Sequence, residues 1–313
     1  MVSIPQIATY ISYIFIVAVY AYKVWKVARL PVHLRWDLYP MPFGKGHEYG
    51  GSYLEEKDWW KKPLPKNGPG GVFHMIKKYL FFGGYFKIKR DYWVSLYPWH
   101  IGFYFIVGFH VLTFICALFM VTTGLVIEAG SANIFGQILY YLSLIISAAG
   151  FILGTIGSIG MLIRRLTSVE MRAYATPSNY FNYVFFFIVF VSGLVSWAFD
   201  PTLGTYREFW QSLLRFDYMT AEPATYVHIM LFSLFLIYLP FTRSTHYITK
   251  LFAFFNVLWN DKPNLKGSKM EEDIEKALDQ TVTWSAPHIQ SGKKWGEVAT
   301  QIPESISGKV QNK

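Results

Sequence analysis

The chain has 313 residues, of which 53% are hydrophobic, 19% aromatic and only 16% charged, and its mean hydropathy is positive. This composition excludes a disordered or fibrous chain and points to an integral membrane protein. A net charge of +9 would suit nucleic acid on a soluble protein, but here the placement of the charges decides, and no nucleic-acid partner is expected.

In chain order, Pro5–Ala28 is the first stretch apolar enough to cross a ~30 Å hydrocarbon core, which takes about 20 residues. No basic segment precedes it, and Lys23, Lys26 and Arg29 follow it, so it reads as a retained first transmembrane helix (1–28) and not as a signal peptide. The polar region 29–96 is dense in Pro and Gly (YPMPFGKG, KKPLPKNGPGG, FFGGYF), which predicts irregular structure around short helical or hairpin pieces. Its aromatics (Trp59, Trp60, Tyr79, Phe86, Trp93) alternate with lysines, a mixture that beside a membrane suits the headgroup interface or a partner subunit rather than RNA. His33, His47 and His74 read as surface residues of this region.

Four further spans are predicted at Tyr97–Ile127, Ile134–Ile163, Asn179–Ala198 and Thr225–Trp259, within a membrane core at 97–259. Cys116, in an apolar run of the second span, reads as a small buried hydrophobe. One cysteine excludes an internal disulfide, an all-cysteine iron–sulfur site and covalent CxxCH haem attachment. The third span carries Gly150, Gly154, Gly157 and Gly160. Close helix packing is the first reading of that stripe, and a flat cofactor lying on it the second. The segment TYREFWQSLLRFDYM predicts a surface helix packing its aromatics over the outer mouth. In the 260–313 tail, MEEDIEKALDQ predicts a short amphipathic helix, and isolated tryptophans beyond it suggest a surface that lies on something. His288 there reads as a surface residue, and no internal repeat is evident.

The 29 Lys and Arg residues orient the chain. Two end the first span, twelve lie in Arg29–Arg90, three are Arg164, Arg165 and Arg172, and ten lie from Arg243 onward. Only Arg207 and Arg215 fall on the other side. Positive residues concentrate in cytoplasmic loops, which predicts an N-terminus outside and a C-terminus in the cytoplasm. The region 29–96 slightly exceeds the ~60 residues over which that rule is strong, but the charges tight against the span ends agree with it.

Ionisable residues inside membrane segments are costly and as a rule functional. His100 and His110 are ten residues apart in the second span, and His228 and His246 eighteen apart in the fifth. The two spans run in opposite directions, which pairs His100 with His246 near the cytoplasm and His110 with His228 near the outside. Each pair can clamp one haem iron from opposite faces, imidazole being the usual axial ligand of such iron. The axial rises differ, about 15 Å against about 27 Å, and Pro240 lies in the longer interval, where a kink is expected. Eighteen residues of continuous helix place His228 and His246 on one face, whereas His100 and His110 are about 80° apart. Arg243, three residues before His246, is a candidate partner of a haem propionate, as are Arg164, Arg165 and Arg172; fixing the span ends is the competing reading for those three. Gly108 could admit a flat quinone ring or simply pack against a helix, and Glu128 and Asp200 are candidate acceptors of quinol protons that otherwise serve interfacial solvation.

This constellation resembles the membrane cytochrome b gamma subunit of respiratory nitrate reductase over residues 98–255, in which both histidine spacings recur. The tail motif VTWSAPHI followed by GKKW is similar to one branch, the DsrM-like subunit of the sulfite-reduction-associated complex related to haem-containing heterodisulfide reductases. The large 29–96 region departs from the nitrate reductase pattern. The resemblance implies an all-α bundle of five transmembrane helices in the cytoplasmic (inner) membrane, with two haem b groups on His100/His246 and His110/His228. It also implies oxidation of menaquinol near the outer haem and electron transfer to a cytoplasmic iron–sulfur subunit of heterodisulfide reductase type. Further membrane and extracytoplasmic cytochrome c or iron–sulfur subunits would complete the complex, which would serve anaerobic respiration linked to sulfite or sulfate reduction. A transporter with a histidine relay would carry in-span carboxylates or an inverted repeat, a non-redox anchor needs no histidine pairs, and HExxH is absent.

Overall fold

A computed structural model describes residues 2–30, 58, 68–250, 252, 265–285 and 289–300. His33, His47 and His288 lie outside these residues, as does most of the 29–67 stretch. In chain order the helices are α1 (Ile4–Ala28), α2 (Gly68–Tyr79), α3 (Gly83–Ile88), α4 (Arg90–Thr123), α5 (Ile134–Thr167), α6 (Val169–Ala173), α7 (Pro177–Phe199), α8 (Gly204–Arg215) and α9 (Pro223–Tyr238). After the 3-10 turns Leu239–Phe241 and Arg243–Thr245 come α10 (Lys269–Leu278) and α11 (Trp295–Thr300). Among the described residues there is no β-strand, only an isolated antiparallel bridge between Thr281 and Lys294. Five helices are long and apolar enough to cross a membrane: α1, α4, α5, α7 and α9 with its 3-10 extension to Phe241.

Local chemistry sets the ends of these helices. α4 stops where Gly124 adopts φ 69°, a conformation that favours glycine. Asn133 caps α5 by accepting from Phe135 N–H. Before α7 the Thr176 N–H donates to Asn179, and Pro177 fills the first turn. Glu222 caps α9 by accepting from Ala224 and Thr225 N–H, ahead of Pro223.

The fifth span departs from the expectation. Among the described residues it runs Pro223–Phe241, because Pro240 cannot continue the α-helical hydrogen-bond ladder and the backbone tightens into 3-10 turns; Trp259 lies outside the described residues. Helical structure resumes at residues 246–250. The premise of one continuous helix from His228 to His246, and with it the shared-face argument, does not hold.

The described chain divides into two compact units, Met1–Val19 with Met75–Arg243 and Tyr20–His74 with Ser244–Lys313. In the first, α4 packs most extensively on α5, α7 bridges α5 and α9, and α8 lies against α4. The glycine stripe explains the α4–α5 contact. A Cβ on Gly102 would fall 2.3 Å from the Gly154 backbone, and one on Gly157 would fall 2.1 Å from the Trp99 nitrogen. These glycines therefore serve close helix approach, the first of their two readings. The N-terminal half of α1 is tied to α8: Gln6 Nε2 donates to Ser212 Oγ (2.8 Å) and the Asp217 carbonyl (2.7 Å), and Tyr10 Oη donates to the Leu213 carbonyl (2.6 Å).

The second unit holds residues 246–250 and the tail. The predicted amphipathic helix is α10, capped by Ser268 accepting from Glu271 N–H. A small core of Val282, Ile289 and Val298 sits in the tail, with an Asp279–Lys294 ion pair.

Candidate functional site

The site is assembled where α4 and α9 face one another. These two helices meet through rings rather than by close backbone approach: Phe103 faces Phe235, and His110 faces Phe232 and His228. His228 is fully buried and His110 is 5% exposed. Phe232 lies flat on the face of His110, with ring centroids 3.6 Å apart and planes at 13°. The His228 ring is 5.8 Å from His110 and 6.1 Å from Phe232. A ring on the far face of His110 would be much farther from Phe232, so His228 stands beside the His110 ring, edge towards edge, with the two planes at 19°.

Hydrogen bonding fixes which nitrogens are available. His228 Nδ1 donates to Ser192 Oγ at 2.9 Å, and Ser192 Oγ donates onward to the Val189 carbonyl at 2.8 Å. That bond orients the ring and leaves Nε2 with its lone pair, the second-partner arrangement that metal-bound histidines use. His228 Nε2 and His110 Nε2 are both buried without a hydrogen-bond partner, a costly state for polar atoms unless something binds them. Two imidazole–metal bonds of about 2 Å, with the reach from each nitrogen to its ring centre, add to a centroid separation of about 6 Å. The observed 5.8 Å matches it. Among the described residues no three His, Cys, Asp or Glu side chains gather into a cluster; an axial pair needs only two.

Aromatic rings surround the pair. Tyr206 of α8 stands edge-on to both imidazoles at 6.3 and 6.0 Å, and its Oη donates to Ser196 Oγ, which in turn lies 2.7 Å from Thr225 Oγ1. Burial pushes the Tyr206 phenol up, so it stays protonated. An apolar cavity of about 530 Å³ opens beside His110, between α1 (Thr9, Tyr13), α4 (Phe114) and α8 (Trp210, Leu214). This volume lies in the range of small-molecule and cofactor pockets. Tyr13 Oη in its wall is buried and unpartnered.

The remaining predicted residues fall as follows. His100 is half-buried on α4, and its Nδ1 donates to the Leu96 carbonyl at 2.9 Å. His246 and Arg243 are exposed, His246 in the second unit. Arg164 is occupied by Asp91 at 2.9 Å and by Ser95, and Arg165 donates to the Met171 carbonyl, so these two staple helix ends. Gly108 meets only Ile146, at 3.9 Å, so it is not a close-packing glycine. Glu128 is exposed. Asp200 accepts from Thr202 Oγ1 and Thr205 N–H; partial burial raises its carboxyl, but these bonds outweigh that and hold it below the usual carboxylate range. A carboxylate so committed to a turn is a poor proton acceptor.

Sequence reasoning missed Ser192, Tyr206 and Tyr13. Ser192 left a faint signal as a polar residue in an apolar span, and Tyr206 lay in the predicted aromatic surface helix; for Tyr13 no signal distinguished it from neighbouring tyrosines.

The family model described as "Nitrate reductase gamma subunit" matches residues 86–259. No match was found among curated proteins or among solved structures.

Proposed function

The chain belongs to the nitrate reductase gamma subunit family, a family of membrane cytochrome b subunits of respiratory complexes, and from that premise we propose that it carries electrons from menaquinol to a cytoplasmic iron–sulfur partner through two haem b groups. It is a multi-pass membrane protein. The observation that supports the haem reading best is the buried, partnerless pair of Nε2 atoms on His110 and His228.

Bound haem supplies reversible one-electron transfer. The chain's residues do the rest. His110 and His228 would hold the outer group, and Ser192 would keep the His228 ring in register. On the sequence spacing, His100 and His246 would hold the inner group, with Arg243 as a partner for its propionates. Two groups are needed because one cannot bridge ~30 Å of hydrocarbon. The apolar cavity beside His110 takes the quinol ring, with Tyr13 Oη as its polar contact. In this reading the N-terminus is outside, so quinol protons leave on that side while electrons move inward and charge the membrane. The tail motif supports a DsrM-like subunit with a partner of heterodisulfide reductase type and a role in respiration linked to sulfite or sulfate reduction.

A menaquinol analogue added to membranes containing the chain should reduce the haem, read as the appearance of the ferrous b-type spectrum. Filling the cavity with Leu214→Trp should slow that reduction at least about tenfold while the dithionite-reduced spectrum stays as in wild type, a loss of about 1.4 kcal/mol or more in binding or transition-state stabilisation. Unchanged rates in this variant would remove the quinol from this cavity.

A further inference from the structure

Arg207 was one of only two basic residues on the sparsely charged side of the sequence. In the structure it is 5% exposed, a buried cation in the first turn of α8. One arm is accounted for: Nη2 donates to the Thr202 carbonyl at 3.0 Å, and the guanidinium carbon lies 5.5 Å above the Tyr140 ring. Nη1 is buried and has no partner, and among the described residues Arg207 makes no ion pair. The nearby Asp200 carboxylate is taken up by Thr202 and Thr205. Burying a guanidinium without an anion is costly, so buried cations are as a rule paired. The Asp200 and Glu208 carboxylates act on Arg207 only through space, and Nη1 stays open to a direct anionic partner.

The position of the residue names the anion. Arg207 directly follows Tyr206, whose ring touches both His110 and His228. Gln211, one turn further along α8, reaches Met120 of α4, so this face of α8 lies along the same helix that carries His110. We infer that Arg207 pairs through Nη1 with a propionate carboxylate of the haem held by His110 and His228. This rests on the haem reading above. Carboxylate is the shape that a guanidinium fork recognises best, and a cation beside one edge of the haem is a lever on its potential. The positive charge favours the ferrous state, which has one positive charge fewer, so it raises the midpoint.

The test is a redox titration of both haem absorbances in the purified full-length protein. Arg207→Gln should lower one midpoint only, that of the haem lost in His110→Ala, with both haems retained. Arg207→Lys should restore most of the shift, and Arg215→Gln should leave both midpoints in place. Wild-type protein reconstituted with propionate-esterified haem should show the opposite sign, a raised midpoint of that same haem, because the ester removes the negative charge that Arg207 balances. That reconstitution keeps the question answerable if the glutamine variant is poorly folded. Unchanged midpoints in a haem-replete Arg207→Gln protein would overturn this assignment alone. A midpoint that follows the anionic lipid content of the vesicle through Arg207 would also overturn it, in favour of a lipid phosphate. A wild-type preparation without haem would overturn both the assignment and the reading beneath it.

Discussion

At the scale of single residues, the site rests on which ring nitrogens are engaged. Ser192 engages Nδ1 of His228, which leaves the buried Nε2, without a hydrogen-bond partner, as the nitrogen able to bind a metal. Partners of this kind on metal-bound histidines are typically worth 10–100-fold in metal affinity. Ser192→Ala should therefore retain one haem at least about tenfold less tightly on dilution or detergent exposure, while the other stays at wild-type occupancy; equal retention of both would show that the serine plays no orienting part. The histidines were legible in the sequence because an ionisable side chain in an apolar run stands out. Ser192 was not, because small polar residues in spans also satisfy themselves along their own helix, as Thr113 does with the carbonyls of Phe109 and His110. Only the fold shows which serine faces an imidazole.

At the scale of elements, glycines set how near the helices approach, and they are not equivalent. Gly157 has no room for a methyl group against the Trp99 backbone, whereas Gly108 meets nothing nearer than 3.9 Å. Gly157→Ala should cost roughly 1–3 kcal/mol by overpacking, read as a lower thermal midpoint of the detergent-solubilised protein. Gly108→Ala should stay within about 0.5 kcal/mol of wild type. A harmless Gly157→Ala would mean that the α4–α5 contact is looser than the structure has it. The stripe on α5 was visible from spacing alone, but its mates Gly102 and Trp99 lie on α4 and no local pattern links them. Pro240 shows the opposite limit. Its effect on the backbone was legible as a kink, yet apolar residues continue past it, so hydropathy ran one span straight through the point where the helix ends at Tyr238.

At the scale of the whole molecule, five apolar helices and the family match over residues 86–259 agree with the bundle that the sequence predicts. Hydropathy made the spans legible because a bilayer leaves each helix little choice but to be long and apolar. The cavity beside His110 was not legible, since its walls come from α1, α4 and α8, and Gln6 and Tyr10 anchor α1 there through bonds to residues far along the chain. The most direct measurement is the number of haems per chain in four purified alanine variants, taken from the dithionite-reduced absorption spectrum against protein concentration. Wild type should carry two. His110→Ala and His228→Ala should each keep one and show the same remaining spectrum and midpoint, and His100→Ala and His246→Ala should each keep the other. If His110→Ala and His228→Ala leave different haems behind, or leave both in place, the imidazoles that meet between α4 and α9 do not share an iron.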